Sequence, residues 1–358
     1  MSLLSEFDFI LPQNLIAQQP FSPKEETKML VYDGAKILDR KLINLIDFLQ
    51  EGDVLVFNDV RVIKAKMSAR IVRSLAGSNA DGNDKIIEFN LDQEIAKNIW
   101  RVIVRGSKKI KDGDRLEIAE DFFARIVKKL EDGFAELEFL DDDYLEKLDK
   151  YGIVPLPPYI KREKEDEKLA ENDQKNYQTI YARDGAAVAA PTAGLHFTDK
   201  IFEMLEAKKI KKVFVTLNVG AGTFLPVRSE RLQDHKMHEE SFSISSEVAK
   251  IINEVRAAGG RVVAVGTTSL RVLESVADEG GILNATQATT KIFIYPPYRF
   301  KVVDILMTNF HLPKSTLFML VSAFVGQEMA REIYSHAISE QYRFYSYGDA
   351  SLLVGNSK

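Results

Sequence analysis

The sequence predicts an α/β protein, with a large α/β domain built on a mainly parallel sheet and a small antiparallel β-barrel domain inserted into it. From residue 186 onward, short apolar runs alternate with amphipathic helical stretches, as crossover helices on a parallel sheet require. Between residues 62 and 153 the pattern changes to short β-like runs separated by turn signals, with no long amphipathic helix among them. At 358 residues and 45% hydrophobic, the chain is long enough for a large core and two domains. The expected division is residues 1–61 with 154–358 as the large domain and 62–153 as the inserted barrel.

Zero cysteines exclude disulfides, thiolate zinc sites, iron–sulfur clusters and a cysteine nucleophile, and fit a reducing cytoplasm as the expected location. Residues 1–9 lack a basic stretch followed by an apolar run, so no signal peptide is expected. No apolar stretch is long enough to span a bilayer, so no membrane association is expected. The net charge of −5 argues against gross affinity for nucleic acid, yet local basic patches can still grip a phosphate backbone.

Taken in order, Val54-Leu55-Val56-Phe57 is the first buried strand, introduced by Gly52-Asp53. It runs into Asn58-Asp59-Val60-Arg61, either a solvated turn or a ligand-facing set with Arg61 for an anion or ring face. In the insertion, β-like runs cover 85–89, 100–104, 116–118, 124–130 and 134–139. Asp132-Gly133 is a hairpin signal, and Asp81-Gly82-Asn83-Asp84 and Asp112-Gly113-Asp114 are further turns. Arg101, Arg105, Lys108 and Lys109 make this segment basic, which suits a solvated face or a polyanion surface. Pro155 to Arg162 is an extended linker because its prolines disfavour helix. The charged stretch 163–176 reads as an exposed loop.

Ala186 to Ala190 reads as a buried strand that Pro191 ends, since proline has no N–H for a ladder. Thr198 reads as the N-cap of a helix carrying Ile201, Phe202 and Leu205 on one face. The loop between them, Thr192 to Phe197, lies where open α/β sheets place ligands. His196 there is either functional or a satisfied core histidine. Val213 to Val219 is strand-like and stops at Gly220-Ala221-Gly222-Thr223. That spacing matches the start of a dinucleotide fingerprint, but Leu225 holds the third glycine position.

A helix at 248–255 ends at Gly259-Gly260, and Val262 to Val265 is a further buried strand. Gly266-Thr267-Thr268-Ser269 then sets three hydroxyls at a helix start, suited to anions, to ribose hydroxyls or simply to capping. Ile292 to Ile294 reads as a strand, and Met307 to Pro313 as a polar loop holding Asn309 and His311. Leu317 to Phe324 and a last helix lead to Tyr342 to Asp349. His235 and His238 precede Glu239 and Glu240, but without a third placed ligand no metal is expected. From the residues alone the expectation is a nucleotide-like ligand at one sheet edge, with the reaction left open.

Specific blocks then narrow the reading: Phe7-Asp8-Phe9 with Leu11-Pro12, Gly52 to Asn58, Pro155 to Ile160, Ala189 to Phe197, Val219 to Phe224, Val265 to Ser269 with Arg271 and Glu274, Thr308 to Pro313, and Tyr342 to Ala350. In these the chain resembles the S-adenosylmethionine:tRNA ribosyltransferase-isomerase family of queuosine biosynthesis, nearly end to end. The resemblance implies a transferase and isomerase that uses S-adenosylmethionine as a consumed ribosyl donor, with no resident cofactor. The implied acceptor is 7-aminomethyl-7-deazaguanine at the wobble position of tRNAs with GUN anticodons. The implied products are epoxyqueuosine-tRNA, adenine and methionine, formed by a cytoplasmic protein expected to act as a monomer.

Adenine must leave with a proton gained, and the donor must lose one beside its sulfonium, so positioned acid–base groups are required. His196 and His311 are the first candidates, Glu274 and Asp349 the second. Candidate substrate-binding residues are Asn58, Asp59 and Arg61; Pro191, Thr192, Gly194 and Phe197; Gly220, Gly222 and Thr223; Gly266, Thr267, Thr268, Ser269 and Arg271; and Asn309. Lys161, Arg162, Arg101 and Arg105 are the candidate tRNA contacts. The chain departs from the family pattern at Asn218, where histidine is usual, and Asn218 cannot transfer a proton. Two rival expectations stand beside this one: an S-adenosylmethionine-dependent RNA methyltransferase, supported by Val219 to Gly222, and a non-catalytic RNA-binding protein.

Overall fold

In the computed structural model, residues 3–72, 85–162, 167–183, 187–220, 227 and 229–355 are described. The chain begins with β1 (Lys28–Tyr32), β2 (Ile37–Lys41) and β3 (Val54–Asn58). There follow β4 (Lys66–Val72), β5 (Ile86–Ala96), β6 (Ile99–Arg105), β7 (Arg115–Ala119), β8 (Phe122–Lys129), β9 (Phe134–Phe139) and helix α1 (Tyr144–Tyr151). The third stretch holds α2 (Glu167–Asn176), α3 (Asp199–Ala207), β10 (Lys211–Leu217), β11 (Glu240–Ile244), α4 (Ser246–Ala257), β12 (Val262–Val265) and α5 (Gly266–Val276). It ends with β13 (Thr286–Thr290), β14 (Ile305–Asn309), α6 (Thr316–Val325), α7 (Gln327–Ser339) and β15 (Ala350–Val354).

Nine strands form one mixed sheet in the order β13-β11-β10-β3-β12-β14-β15-β1-β2. Its centre, β10-β3-β12-β14, is parallel throughout, while β13, β11 and β2 join antiparallel at the edges and β15 runs antiparallel to β14. The centre is parallel because both of its faces are covered. Along β3, Val54 and Val56 pack into one core, and Leu55 and Phe57 into the other, as period-2 geometry dictates. Helices α4, α5, α6 and α7 cover the first face, and α3 with the 3-10 stretch Leu42–Phe48 covers the second. Fully burying one such side chain contributes roughly 1.5–3 kcal/mol, so a central strand apolar on both faces is doubly anchored.

The barrel closes as β4-β5-β6-β9-β8-β7, every neighbouring pair antiparallel. Alternate residues point inward: along β9, Ala135, Leu137 and Phe139 are buried. Helix α1 seals one end with Tyr144 and Leu148. At the β8–β9 turn, Asp132 and Gly133 both take positive φ, the conformation their dipeptide favours. Asp81 to Asp84 lie outside the described residues.

Six local expectations are corrected. Residues 187–190 are buried but form no strand: Ala187 bridges Val62, while the Val188 N–H donates to Val219. Their partners lie on two different segments, so no continuous ladder grows. Thr192–His196 is a 3-10 turn rather than open loop. Thr198 does stand at the start of α3, yet its hydroxyl donates to Glu25 at 2.7 Å instead of capping the helix. Part of the charged stretch 163–176 is helix α2. Ile292 to Ile294 forms no strand; the polar run Thr286–Thr290 does, because β11 offers it a ladder and pairing outweighs side-chain propensity. In addition, Thr308 and Asn309 close β14 instead of opening a loop.

Candidate active site

A cavity of about 550 Å³ lies at the C-terminal ends of β12 and β14. The polypeptide leaves β12 through Gly266, at φ +89°, straight into α5. That left-handed turn is what glycine permits. It sets Thr267, Thr268 and, one turn on, Arg271 along the wall. The end of β14 supplies Thr308, Asn309 and His311, and the 3-10 turn after Pro191 supplies Thr192. Tyr159 and Tyr345 form another wall, stacked with ring centroids 4.0 Å apart. The Tyr159 hydroxyl lies 2.6 Å from Ser346 Oγ, and burial pushes the Tyr159 phenol well above its ordinary range.

A hydrogen-bonded chain crosses the floor. Thr192 Oγ1 donates to Asn309 Oδ1 at 2.9 Å, and Asn309 Nδ2 lies 3.1 Å from His196 Nε2. With the amide turned this way Nε2 accepts, so the ring proton sits on Nδ1. His196 lies behind this amide and does not line the cavity. His311 does, with Nε2 3.0 Å from Thr308 Oγ1 and its backbone N–H donating to Tyr334 Oη at 3.0 Å. Burial pushes His311 down to about 3; burial, then the charges of Lys24 and Arg343, push His196 down to about 3 as well. Both imidazoles are therefore neutral at pH 7.

Among the described residues, two buried groups in this wall have polar atoms with no hydrogen-bond partner: Thr268 Oγ1, and Nε with Nη2 of Arg271. Leaving such groups unpaired costs roughly 1–3 kcal/mol each, so together they favour a polar ligand in the cavity.

A second cavity of about 480 Å³ shares Arg271, Thr316 and Leu317 with the first. Its other side is formed by Asp132 and Phe134 of the barrel hairpin, with His235, His238 and Glu240 between. A third, of about 350 Å³, continues along the barrel past Asp92, Arg101, Asn218 and Gly220. Here Asn218 Nδ2 donates to Ser241 Oγ at 2.9 Å.

The structure thus brings Pro191, Thr192, Gly266, Thr267, Thr268, Arg271, Asn309 and His311 to one cavity. The other sequence candidates lie elsewhere. Asn58 is a buried clamp between β3 and β10, bonding the backbone of Leu217 in both directions, and Asp59 accepts from Thr216. Arg61 is exposed and faces Asp149 at 3.8 Å. Phe197 packs edge-on to Phe57 in the core. Gly194 is a packing glycine, since a Cβ there would meet the Tyr181 hydroxyl at 1.9 Å. Gly220 is kept small by Asp92 of the barrel, 2.8 Å from where its Cβ would be. Ser269 bonds the Val265 carbonyl. Gly222 and Thr223 lie outside the described residues.

Glu274 and Asp349 serve as latches. The Glu274 carboxylate accepts the backbone N–H groups of Lys301, Val302 and Val303 at 2.9–3.2 Å. Asp349 takes the Arg343 guanidinium and its backbone N–H, folding the turn that presents Tyr345 and Ser346 to the cavity. Of the tRNA candidates, Arg162 forks onto buried Asp173 and Arg101 pairs with buried Asp92 at 2.6 Å, whereas Arg105 and Lys161 are exposed. Sequence reasoning missed Tyr345, Ser346, Thr316 and Leu317 as cavity walls and Glu240 as the partner of Arg271. The signal within reach was that Tyr345 and Ser346 fall inside a block already singled out.

Residues 4–353 match the model of a family described as queuosine biosynthesis protein. A protein of Allorhizobium ampelinum named S-adenosylmethionine:tRNA ribosyltransferase-isomerase is 48% identical, covering 98% of this chain and 99% of its own. One of the same name from Mesorhizobium japonicum is 49% identical, covering 97% and 96%. The crystal structure of S-adenosylmethionine tRNA ribosyltransferase from Thermotoga maritima is 33% identical with a TM-score of 0.54, covering 98% of this chain and all of that one.

Proposed function

The chain belongs to the queuosine biosynthesis protein family, and from that premise we propose how its cavities carry out ribosyl transfer and isomerisation. The protein transfers the ribosyl moiety of S-adenosylmethionine to tRNA and isomerises it, which makes it a transferase and an isomerase. The acceptor is 7-aminomethyl-7-deazaguanine at the wobble position of tRNAs with GUN anticodons, and adenine and methionine are released as epoxyqueuosine forms. S-adenosylmethionine is consumed, no resident cofactor takes part, and the working unit is a monomer.

The donor occupies the cavity at the ends of β12 and β14. What supports this reading is that Thr268 and Arg271, whose buried polar atoms lack hydrogen-bond partners among the described residues, stand in its wall. The acceptor base enters through the second cavity, between the β8–β9 hairpin and the large unit. A splayed base from a single-stranded loop is the usual target of specific RNA recognition. His311 stands in the donor wall, and its position there assigns it the proton from the carbon next to the sulfonium. That proton is then on hand for departing adenine. His196 acts one residue back, holding the Asn309 amide.

Incubation with S-adenosylmethionine and tRNA bearing the aminomethyl base should yield adenine and methionine in equal amounts. S-adenosylhomocysteine as product would refute the reading in favour of methyl transfer. Absence of any turnover would refute catalysis.

A further inference from the structure

Arg271 is 5% exposed and lines both the donor cavity and its neighbour. Among the described residues its guanidinium makes one hydrogen bond: Nη1 donates to the equally buried Glu240 carboxylate. Among the described residues, Nε and Nη2, each inaccessible to solvent, have no hydrogen-bond partner. These two N–H groups lie side by side on one edge of the planar group, and that edge is the fork that meets a carboxylate with two parallel bonds. Glu240 occupies the opposite corner and so orients the fork without filling it. Two buried donors without an acceptor are costly until one reaches them, and the residue that carries them stands in the wall of both cavities.

We propose that Arg271 anchors the α-carboxylate of the methionine portion of S-adenosylmethionine through its Nε–Nη2 edge, with Glu240 as the positioning residue. The inference rests on the donor cavity assigned above. It sets the donor's polarity: the methionyl end lies at the wall shared with the second cavity. The same anchor then holds methionine after the sulfonium bond to it breaks. A phosphate of the tRNA is the other anion in the reaction. The buried position of Arg271 keeps the fork from a surface backbone, which favours a small carboxylate over a polyanion.

The test compares affinities for S-adenosylmethionine and decarboxylated S-adenosylmethionine by calorimetry, without tRNA, in the wild type, Arg271→Lys and Arg271→Ala. The wild type should prefer the carboxylate-bearing ligand by about ten- to a hundredfold, the range a charge-assisted pair supplies. Arg271→Lys should lose most of that preference, and Arg271→Ala should bind the two ligands within about twofold of each other, as loss of the fork leaves no carboxylate partner. A merely structural role would weaken both ligands together and leave the ratio unchanged, and that outcome overturns the assignment. Equal affinities in the wild type overturn it as well, and would point to tRNA phosphate as the anion. Should Arg271→Ala fail to fold, Arg271→Lys decides alone, because it keeps the counter-charge for Glu240. A wild type that binds neither ligand refutes the donor cavity itself, and this assignment with it.

Discussion

Acid should destabilise this protein through two named side chains. His196 and His311 are held neutral by burial, each with a pKa of about 3 in place of 6.5. Below pH 6.5 the unfolded chain therefore takes up protons that the folded one refuses, and stability is lost as pH falls from that point toward 3. The limiting slope is about 1.4 kcal/mol per pH unit for each histidine. Between pH 7 and pH 5 each should cost about 2 kcal/mol, and the pair about 4 kcal/mol. That is a large share of the roughly 5–15 kcal/mol typical of folded proteins. Urea unfolding followed by far-ultraviolet circular dichroism at pH 7, 6 and 5 measures the loss. The same titration of the His196→Gln/His311→Gln protein subtracts whatever the carboxylates contribute. The doubly substituted protein should lose about 4 kcal/mol less over this interval. If both proteins lose stability equally, the two imidazoles are not held neutral by burial and the reasoning fails.

Three other outcomes are expected. His311→Ala should lower adenine release at saturating substrates by about 10²–10⁴ with the fold intact, and a drop under about fivefold would remove it from proton transfer. Glu274→Ala strips partners from three backbone N–H groups and should cost about 3 kcal/mol or more in urea unfolding; unchanged stability would show that the carboxylate is no latch. Arg105→Ala and Lys161→Ala should each lower the salt slope of tRNA binding by roughly 0.7–0.9, whereas Arg162→Ala should instead destabilise the fold by leaving Asp173 buried without its fork. Unchanged slopes for the first two would place the tRNA contact elsewhere.

What the sequence determined by itself follows from interactions that local spacing encodes. The apolar run at Val54 to Phe57 demands a strand covered on both faces, and the alternation along Phe134 to Phe139 demands one covered on a single face. The α/β class and the inserted barrel follow from those two patterns, and Asp132-Gly133 fixes a turn with its own backbone preferences. Short-range chemistry also marked Thr192, Gly266 to Thr268, Asn309 and His311, because small and hydroxylated residues at strand ends leave room and donors for a ligand. The tertiary structure alone decided which of the marked polar groups line the cavity. Asp349 and Glu274 carry the same carboxylate in sequence, yet each is taken up by backbone N–H groups that only the folded chain brings near. Gly194 and Gly220 are glycines because Tyr181 and Asp92 arrive from 13 and 128 residues away. The same dependence gives the polar run Thr286–Thr290 its strand, because β11 lies beside it, and leaves Ile292 to Ile294 without one. Arg271 became singular only when Glu240 took one corner of its guanidinium and left the other edge without a partner among the described residues. A side chain's partners are set by distance in space, and spacing along the chain reports that distance only within a helix turn, a strand or a hairpin.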